Sequence, residues 1–468
     1  MANTSQRSGL TLFVLTLAAF MASLDVFIVN VAFDAIGADF RGAGITDLSW
    51  VLNAYAIIFA ALLVPAGRLA DRYGRKRGFL IGLVLFTGAS AACAAAGSIW
   101  TLVGFRALQA VGAAILTPAS LGLVVASAPP ERRAAWVRIW AAVGALAAAL
   151  GPAVGGMLVE ASWQWVFLVN IPVGVAAVVA AILWVPDSRD TSITRNPDLV
   201  GAILLALSVG ALSLAIVEGP SWGWISGRTN AAWATTAVAL LGFLLSSKRH
   251  PAPVIAPALI RVKAFAWSNV TALLFTVPFA AALLTNILWM QKVWHYSAIK
   301  TGLAVAPGPL MVPLFAIVST RLSRRLPVGV IVSVGCLLCG LGSVAVAAQV
   351  GASPDYAGAL LPGWLIGGAG VGLALPNILS AATADLPPSQ GATGSAIVNM
   401  SRQIGTAIGV SLVVAVLGTP TTYDAAHTAF QHAWWLLAAV AAAAALSAPL
   451  MTPLPVAAPA RTAAEAAS

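Results

Sequence analysis

Asp25 and Arg106 are the residues of this chain that packing alone explains least, because each lies inside a long apolar run. Asp25 sits fifteen residues past Leu10, roughly 22 Å along a helix that rises 1.5 Å per residue. No other acid lies as deep in such a run. Arg106 follows Trp100 by six residues. If their two helices cross a membrane in opposite directions, the two charges reach a similar depth. A carboxylate in hydrocarbon is costly unless protonated, paired or hydrated. Two readings stay open: a fixed helix–helix ion pair, or an acid that exchanges a proton beside a guanidinium as access alternates. Intramembrane ionisable groups are functional by default, which favours the second.

Other polar groups in apolar runs are Asn30, Asn53, Tyr55, Gln109, Asn286, Trp289, Trp364, Asn377, Asn399 and Arg402. Together they could line a wide pocket for an amphipathic molecule, although each alone also fits ordinary packing. The stripe Gly151-Pro152 with Gly155-Gly156 permits a kink and close backbone approach. No phosphate-binding Gly-x4-Gly-Lys loop and no His-Glu-x2-His site occurs. Cys336 and Cys339 fall inside an apolar run and read as small fillers, and three cysteines cannot form a fully paired framework. The expectation is a non-enzyme without metal or cofactor.

The elements that must carry these groups are membrane helices. Of 468 residues 60% are hydrophobic and 9% charged, far below the roughly 25% of soluble domains. Fourteen runs are long enough to cross a bilayer. Spans 1–6 are Leu10–Phe33, Leu48–Ala70, Gly78–Gly97, Trp100–Val125, Ala134–Leu158 and Trp165–Pro186. Spans 7 and 8 are Leu199–Val217 and Ala231–Ser247. Spans 9–14 are Trp267–Met290, Thr301–Leu322, Val328–Ala348, Gly358–Ala384, Gly394–Gly418 and Phe430–Leu454.

With the N-terminus inside, most of the 25 Lys and Arg residues face the cytoplasm, from Arg7 and the Arg68–Arg77 cluster to Arg461. Only Arg41, Arg228, Lys292 and Lys300 face out. This asymmetry predicts a multi-pass protein of the cell membrane with both termini cytoplasmic. The net charge of +10 is then topology rather than nucleic-acid binding. Most of the 16 tryptophans fall at outer ends as an interfacial belt.

Two echoes share an offset of eight spans. Gln109–Pro118 of span 4 matches Gly367–Pro376 of span 12 in small-residue spacing, and Arg68-Leu69 aligns with Arg321-Leu322. They predict a six-helix bundle over 1–197, an inserted hairpin over 198–250 and a second bundle over 251–468. Parallel halves of this kind are a transporter architecture.

At this point a family is recognisable. Leu24-Asp25 with Val29-Asn30-Val-Ala32, the Gly67–Arg77 run and Arg106-Ala-Leu-Gln109-Ala-Val-Gly112 resemble the fourteen-span drug:proton antiporters of the major facilitator superfamily. So do Gly151-Pro152-Ala-Val-Gly155-Gly156, Trp163–Gly174, Tyr296-Ser297 with Gly302 and Pro307, and Asn399 with Arg402-Gln403 and Gly405. Departures are Asp34, Arg138, Ala147 and Gln164.

The resemblance implies an all-α fold of two bundles plus two inserted helices, working as a monomer among membrane lipids. It implies export of amphipathic drugs or antibiotics against protons, with Asp25 and Arg106 coupling the proton. Gly151, Pro152, Gly155 and Gly156 would set the direction of gating. Gly67, Asp71, Arg72, Gly74 and Arg75 would form a cytoplasmic latch that also engages Arg132; the alternative is a solvated basic loop drawn to anionic lipid. A dedicated exporter of one metabolite or a lipid flippase are the competing functions.

Overall fold

The computed structural model describes residues 2–190, 195–387 and 390–452. Arg461 and the rest of the C-terminal tail lie outside the described residues, as does the side chain of Arg7. Among the described residues, fourteen helices are long and apolar enough to cross a membrane. They are Gly9–Asp39, Ile45–Tyr73, Arg75–Ala94, Ile99–Ser127, Pro130–Ala161 and Trp165–Trp184; Leu199–Trp222 and Gly227–Arg249; then Lys263–Lys292, Ala298–Leu322, Val328–Gln349, Tyr356–Ala384, Gly391–Leu417 and Tyr423–Met451. These are spans 1 to 14 below. No strand occurs among the described residues.

Polar residues cap several helix starts, and at span 14 the cap lies well outside the apolar run. Ser98 accepts from Thr101 N at 3.2 Å to start span 4, Asp198 accepts from Gly201 N at 2.7 Å to start span 7, and Thr422 accepts from Ala425 N at 3.3 Å to start span 14. Span 6 is interrupted at Val169, between helical stretches Trp165–Leu168 and Asn170–Trp184. Proline lies inside spans 2, 4, 5, 7, 9, 10 and 12. Broken or bent helices of this kind are tolerated where neighbouring helices cover the freed backbone groups.

The packing repeats with the expected offset. Span 3 lies on span 4, 2 on 4, 1 on 5 and 3 on 6; span 11 lies on span 12, 10 on 12, 9 on 13 and 11 on 14. The tightest of these contacts match in detail. A Cβ on Gly82 of span 3 would stand 2.7 Å from Leu116 N of span 4, and one on Gly335 of span 11 would stand 2.7 Å from Gly370 O of span 12. Between the two sets, span 13 packs on span 2 and span 10 on span 5, which are themselves exchanged by the same offset. Span 7 lies against spans 2 and 13, over this seam, and span 8 packs chiefly on span 7.

Candidate functional site

Asp25 and Arg106 meet at the centre of spans 1–6, each 1% exposed. Arg106 Nη1 donates to Asp25 Oδ2 at 2.6 Å and to Gln109 Oε1 at 2.6 Å, while its Nε donates to Val51 O at 3.2 Å. The other carboxylate oxygen accepts from Gln109 Nε2 at 2.8 Å and Asn170 Nδ2 at 3.2 Å. Ser90 ties the back of the cluster. It accepts from Gln109 at 3.2 Å and Asn170 at 3.0 Å and donates to Phe167 O at 2.9 Å. The guanidinium also lies 4.3 Å from the centre of the Tyr55 ring. Five spans, 1, 2, 3, 4 and 6, therefore converge on one buried ion pair. Spacing explains the convergence: Arg106 and Gln109 are three residues apart and so share a helix face.

The side-chain hydrogen bonds between the two sets of spans lie toward the end opposite the Arg68–Arg77 turn. Asn53 Nδ2 donates to Ser411 Oγ at 3.1 Å between spans 2 and 13. Gln291 Nε2 donates to Val31 O at 3.0 Å, and Ile299 N to Glu160 Oε1 at 3.3 Å. The glycine stripe of span 5 serves two neighbours. A Cβ on Gly151 would come within 2.7 Å of Phe27, and one on Gly155 within 2.8 Å of Ile28 O, both on span 1. Gly156 faces span 10 instead, where a Cβ would stand 2.5 Å from Ala298 O, and Gly302 packs on Pro152 O in return. The contact of span 10 with span 5 is concentrated in Ala298–Val305 rather than Pro307–Leu322.

At the other end the turn is not one continuous helix. Span 2 stops at Tyr73, and Gly74 takes φ +121°, which a side chain would resist, before span 3 begins. Arg75 Nε still reaches back to Asp71 Oδ1 at 2.6 Å across this break. The connector after span 6 clasps the turn: Arg75 N donates to Ser188 O at 2.7 Å, Asp190 N to Asp71 O at 2.8 Å, and Arg72 Nη1 to Asn196 Oδ1 at 2.5 Å. Arg68 Nη1 donates to Pro253 O at 2.8 Å in the connector after span 8. Arg132 is exposed, and among the described residues no ion pair joins it to Asp71. The partner expected from the next loop is thus replaced by the two connectors.

The sequence model of the Major Facilitator Superfamily matches residues 15–410. The chain belongs to this superfamily. It is 31% identical over 421 residues to a methylenomycin A resistance protein of Streptomyces coelicolor, covering 89% of this chain and 87% of that one. It is 34% identical to the multidrug resistance protein Stp of Mycobacterium tuberculosis, covering 87% and 75%. Among solved structures, a POT family transporter shares the fold with a TM-score of 0.68 at 16% identity over 94% of both chains. The inward-open xylose transporter XylE of E. coli does so with 0.64 at 12% identity, over 94% and 96%. The protein is a multi-pass membrane transporter of this superfamily, and its relatives include proteins named for drug and antibiotic resistance.

Within this major facilitator fold the polar residues expected around one pocket are dispersed. Gln109 and Tyr55 belong to the Asp25 cluster, and Asn53 to the seam. Asn30 turns back onto Val26 O and Phe27 O of its own helix. Asn286 accepts from Trp434 Nε1 at 2.9 Å, and Trp289 stacks edge-on with Trp434 and Phe430 inside spans 9–14. Trp364 donates to Val305 O at 2.8 Å, and Asn377 bonds to Ser319 and Leu373 O. Asn399 accepts from Arg402 Nη1 at 3.0 Å, and Arg402 Nε finds no partner among the described residues. Ser90 and Asn170 are the cluster members that sequence reasoning missed. Asn170 stood in the Trp163–Gly174 motif, and its position at the start of a span was the available signal.

Proposed function

We propose that this transporter exports amphipathic drugs or antibiotics in exchange for protons, with Asp25 as the proton-carrying group. The observation that carries the reading is the acid itself: buried deep in span 1, it is held by a cation and two amides that can release it. Protonation of Asp25 cancels the ion pair and leaves Arg106 with the carbonyls of Gln109 and Val51. Val51 lies two residues from Asn53, whose amide bridges the seam to Ser411. Loss of the carboxylate charge therefore acts on the helix that holds the two halves together, which is the link an antiporter needs between proton and access.

The halves are residues 1–197 and 251–468, with 198–250 as a hairpin outside them; the repeated packing and the seam-covering position of span 7 support this division. The basic turn faces the cytoplasm by charge bias, with both termini on that side of the cell membrane. The hydrogen bonds between the bundles at the far end are then ones that must part for substrate to leave on that side. One chain contains both halves of the access path, so the monomer is the working unit. A dedicated exporter of a single metabolite is the second reading, favoured by a relative named for one antibiotic.

Reconstituted protein tests the coupling. Wild type should accumulate substrate when a proton gradient is imposed. Asp25→Asn should lower that accumulation by about tenfold or more while substrate affinity changes by less than about threefold. A full substrate gradient built by Asp25→Asn would move the coupling site elsewhere. A panel of unrelated amphipathic compounds separates multidrug from single-metabolite export.

A further inference from the structure

A groove of about 600 Å³ opens between spans 7 and 8 and the first turns of span 2. Trp50, Gly210, Leu214, Trp222, Arg228 and Thr235 are among its walls, and Arg228 is the single charged residue lining it. The groove is empty of protein at its middle, since a Cβ added to Gly210 meets no atom within 4 Å. Sixteen residues separate Ala206 from Trp222, both on its wall, which is roughly 24 Å of helix. A single leaflet with its headgroup region is about 20–22 Å deep. The slot is thus apolar and one leaflet long. At its headgroup end stand an exposed guanidinium and an indole, with Arg228 5.9 Å from the centre of the Trp222 ring. Span 8 turns Trp233, Val238 and Leu241 outward, as a lipid-facing helix does.

We propose that this groove binds one anionic phospholipid of the leaflet opposite the basic turn. The phosphate meets Arg228, and one acyl chain runs past Gly210 toward Ala206 against Trp50. Charge complementarity selects an anionic headgroup, because Arg228 is the only charge the site offers. The lipid would fasten the hairpin to span 2 beside the seam with span 13, so its presence bears on how the halves move. This site is separate from the Asp25 cluster and does not depend on which ion drives transport.

Native mass spectrometry of protein exchanged into equal phosphatidylglycerol and phosphatidylcholine tests the assignment. Wild type should retain one phosphatidylglycerol with a preference of about tenfold. Gly210→Leu puts its side chain into open space, so it should melt as wild type does in lipid-free detergent and lose that lipid. Thr235→Phe fills the slot from span 8 and should do the same. Arg228→Gln should hold either lipid equally. Unchanged phosphatidylglycerol retention in both filling variants would overturn the proposal, as would a preference that survives Arg228→Gln. Retention of added ethidium in place of lipid, lost in Gly210→Leu, would give the groove to a transport substrate and overturn it too.

Discussion

Removing one partner of a buried ion pair leaves the other charge exposed to a low-dielectric interior, a loss of about 3–5 kcal/mol. Both variants strand a charge, but Arg106→Ala also removes the donor to Gln109 and Val51 and opens a cavity, whereas Asp25→Asn keeps an acceptor for Arg106 at nearly constant volume. The melting temperature in detergent should therefore fall clearly further for Arg106→Ala than for Asp25→Asn; equal losses would mean that water already screens the pair. Asp25 and Arg106 were legible in the sequence because charge in an apolar run carries a large cost. Ser90 and Asn170 carry no such cost, since a hydroxyl or amide can bond within its own helix, as Asn30 does. Only the fold could assign them to the cluster. The same ambiguity scattered the expected pocket: Asn377 and Trp364 are satisfied by nearby groups.

At the scale of elements, the span count and the offset of eight were readable because length, hydrophobicity and small-residue spacing are strong signals in membrane helices. The architecture of the basic turn was not. The i,i+4 spacing offers Arg75 as a partner for Asp71, but the crowding of Arg72, Lys76 and Arg77 around the same acid suggests that each single cation is replaceable. In the structure Arg75 is distinct: its side chain pairs with Asp71, and its backbone N–H holds Ser188 in the connector. The pair is partly exposed, with 20% and 30% of the two side chains accessible, so its loss should change stability by less than about 1 kcal/mol. Its effect belongs to gating. Asp71→Asn and Arg75→Gln should each slow transport severalfold at matched expression, and by similar factors, while Lys76→Gln stays near wild type. A wild-type rate for Asp71→Asn would return the turn to a solvated basic loop.

For the whole molecule, the exchange symmetry has a mechanical consequence. The packing of span 13 on span 2 and of span 10 on span 5 belongs to one arrangement of the halves, and alternating access requires that it come apart. Gly156 and Gly302 let backbones touch there, which gives the closed end a specific fit rather than a loose apolar contact. Asn53 and Ser411, bonded at 3.1 Å, mark the seam at the depth of Val51 and hence of the Arg106 contact. Joining these two positions should trap the arrangement. In a background with Cys93, Cys336 and Cys339 replaced by alanine, Asn53→Cys with Ser411→Cys should be linked by a short bis-methanethiosulfonate, which forms a disulfide at each thiol and releases sulfinate. The linked protein should bind substrate with unchanged affinity from the side of the basic turn, yet turn over at less than about a tenth of the unlinked rate, recovering on reduction. Each single cysteine treated in the same way should remain active. Full transport by the linked protein would mean that the seam between spans 2 and 13 does not open during the cycle, and that the halves part along spans 5 and 10 alone.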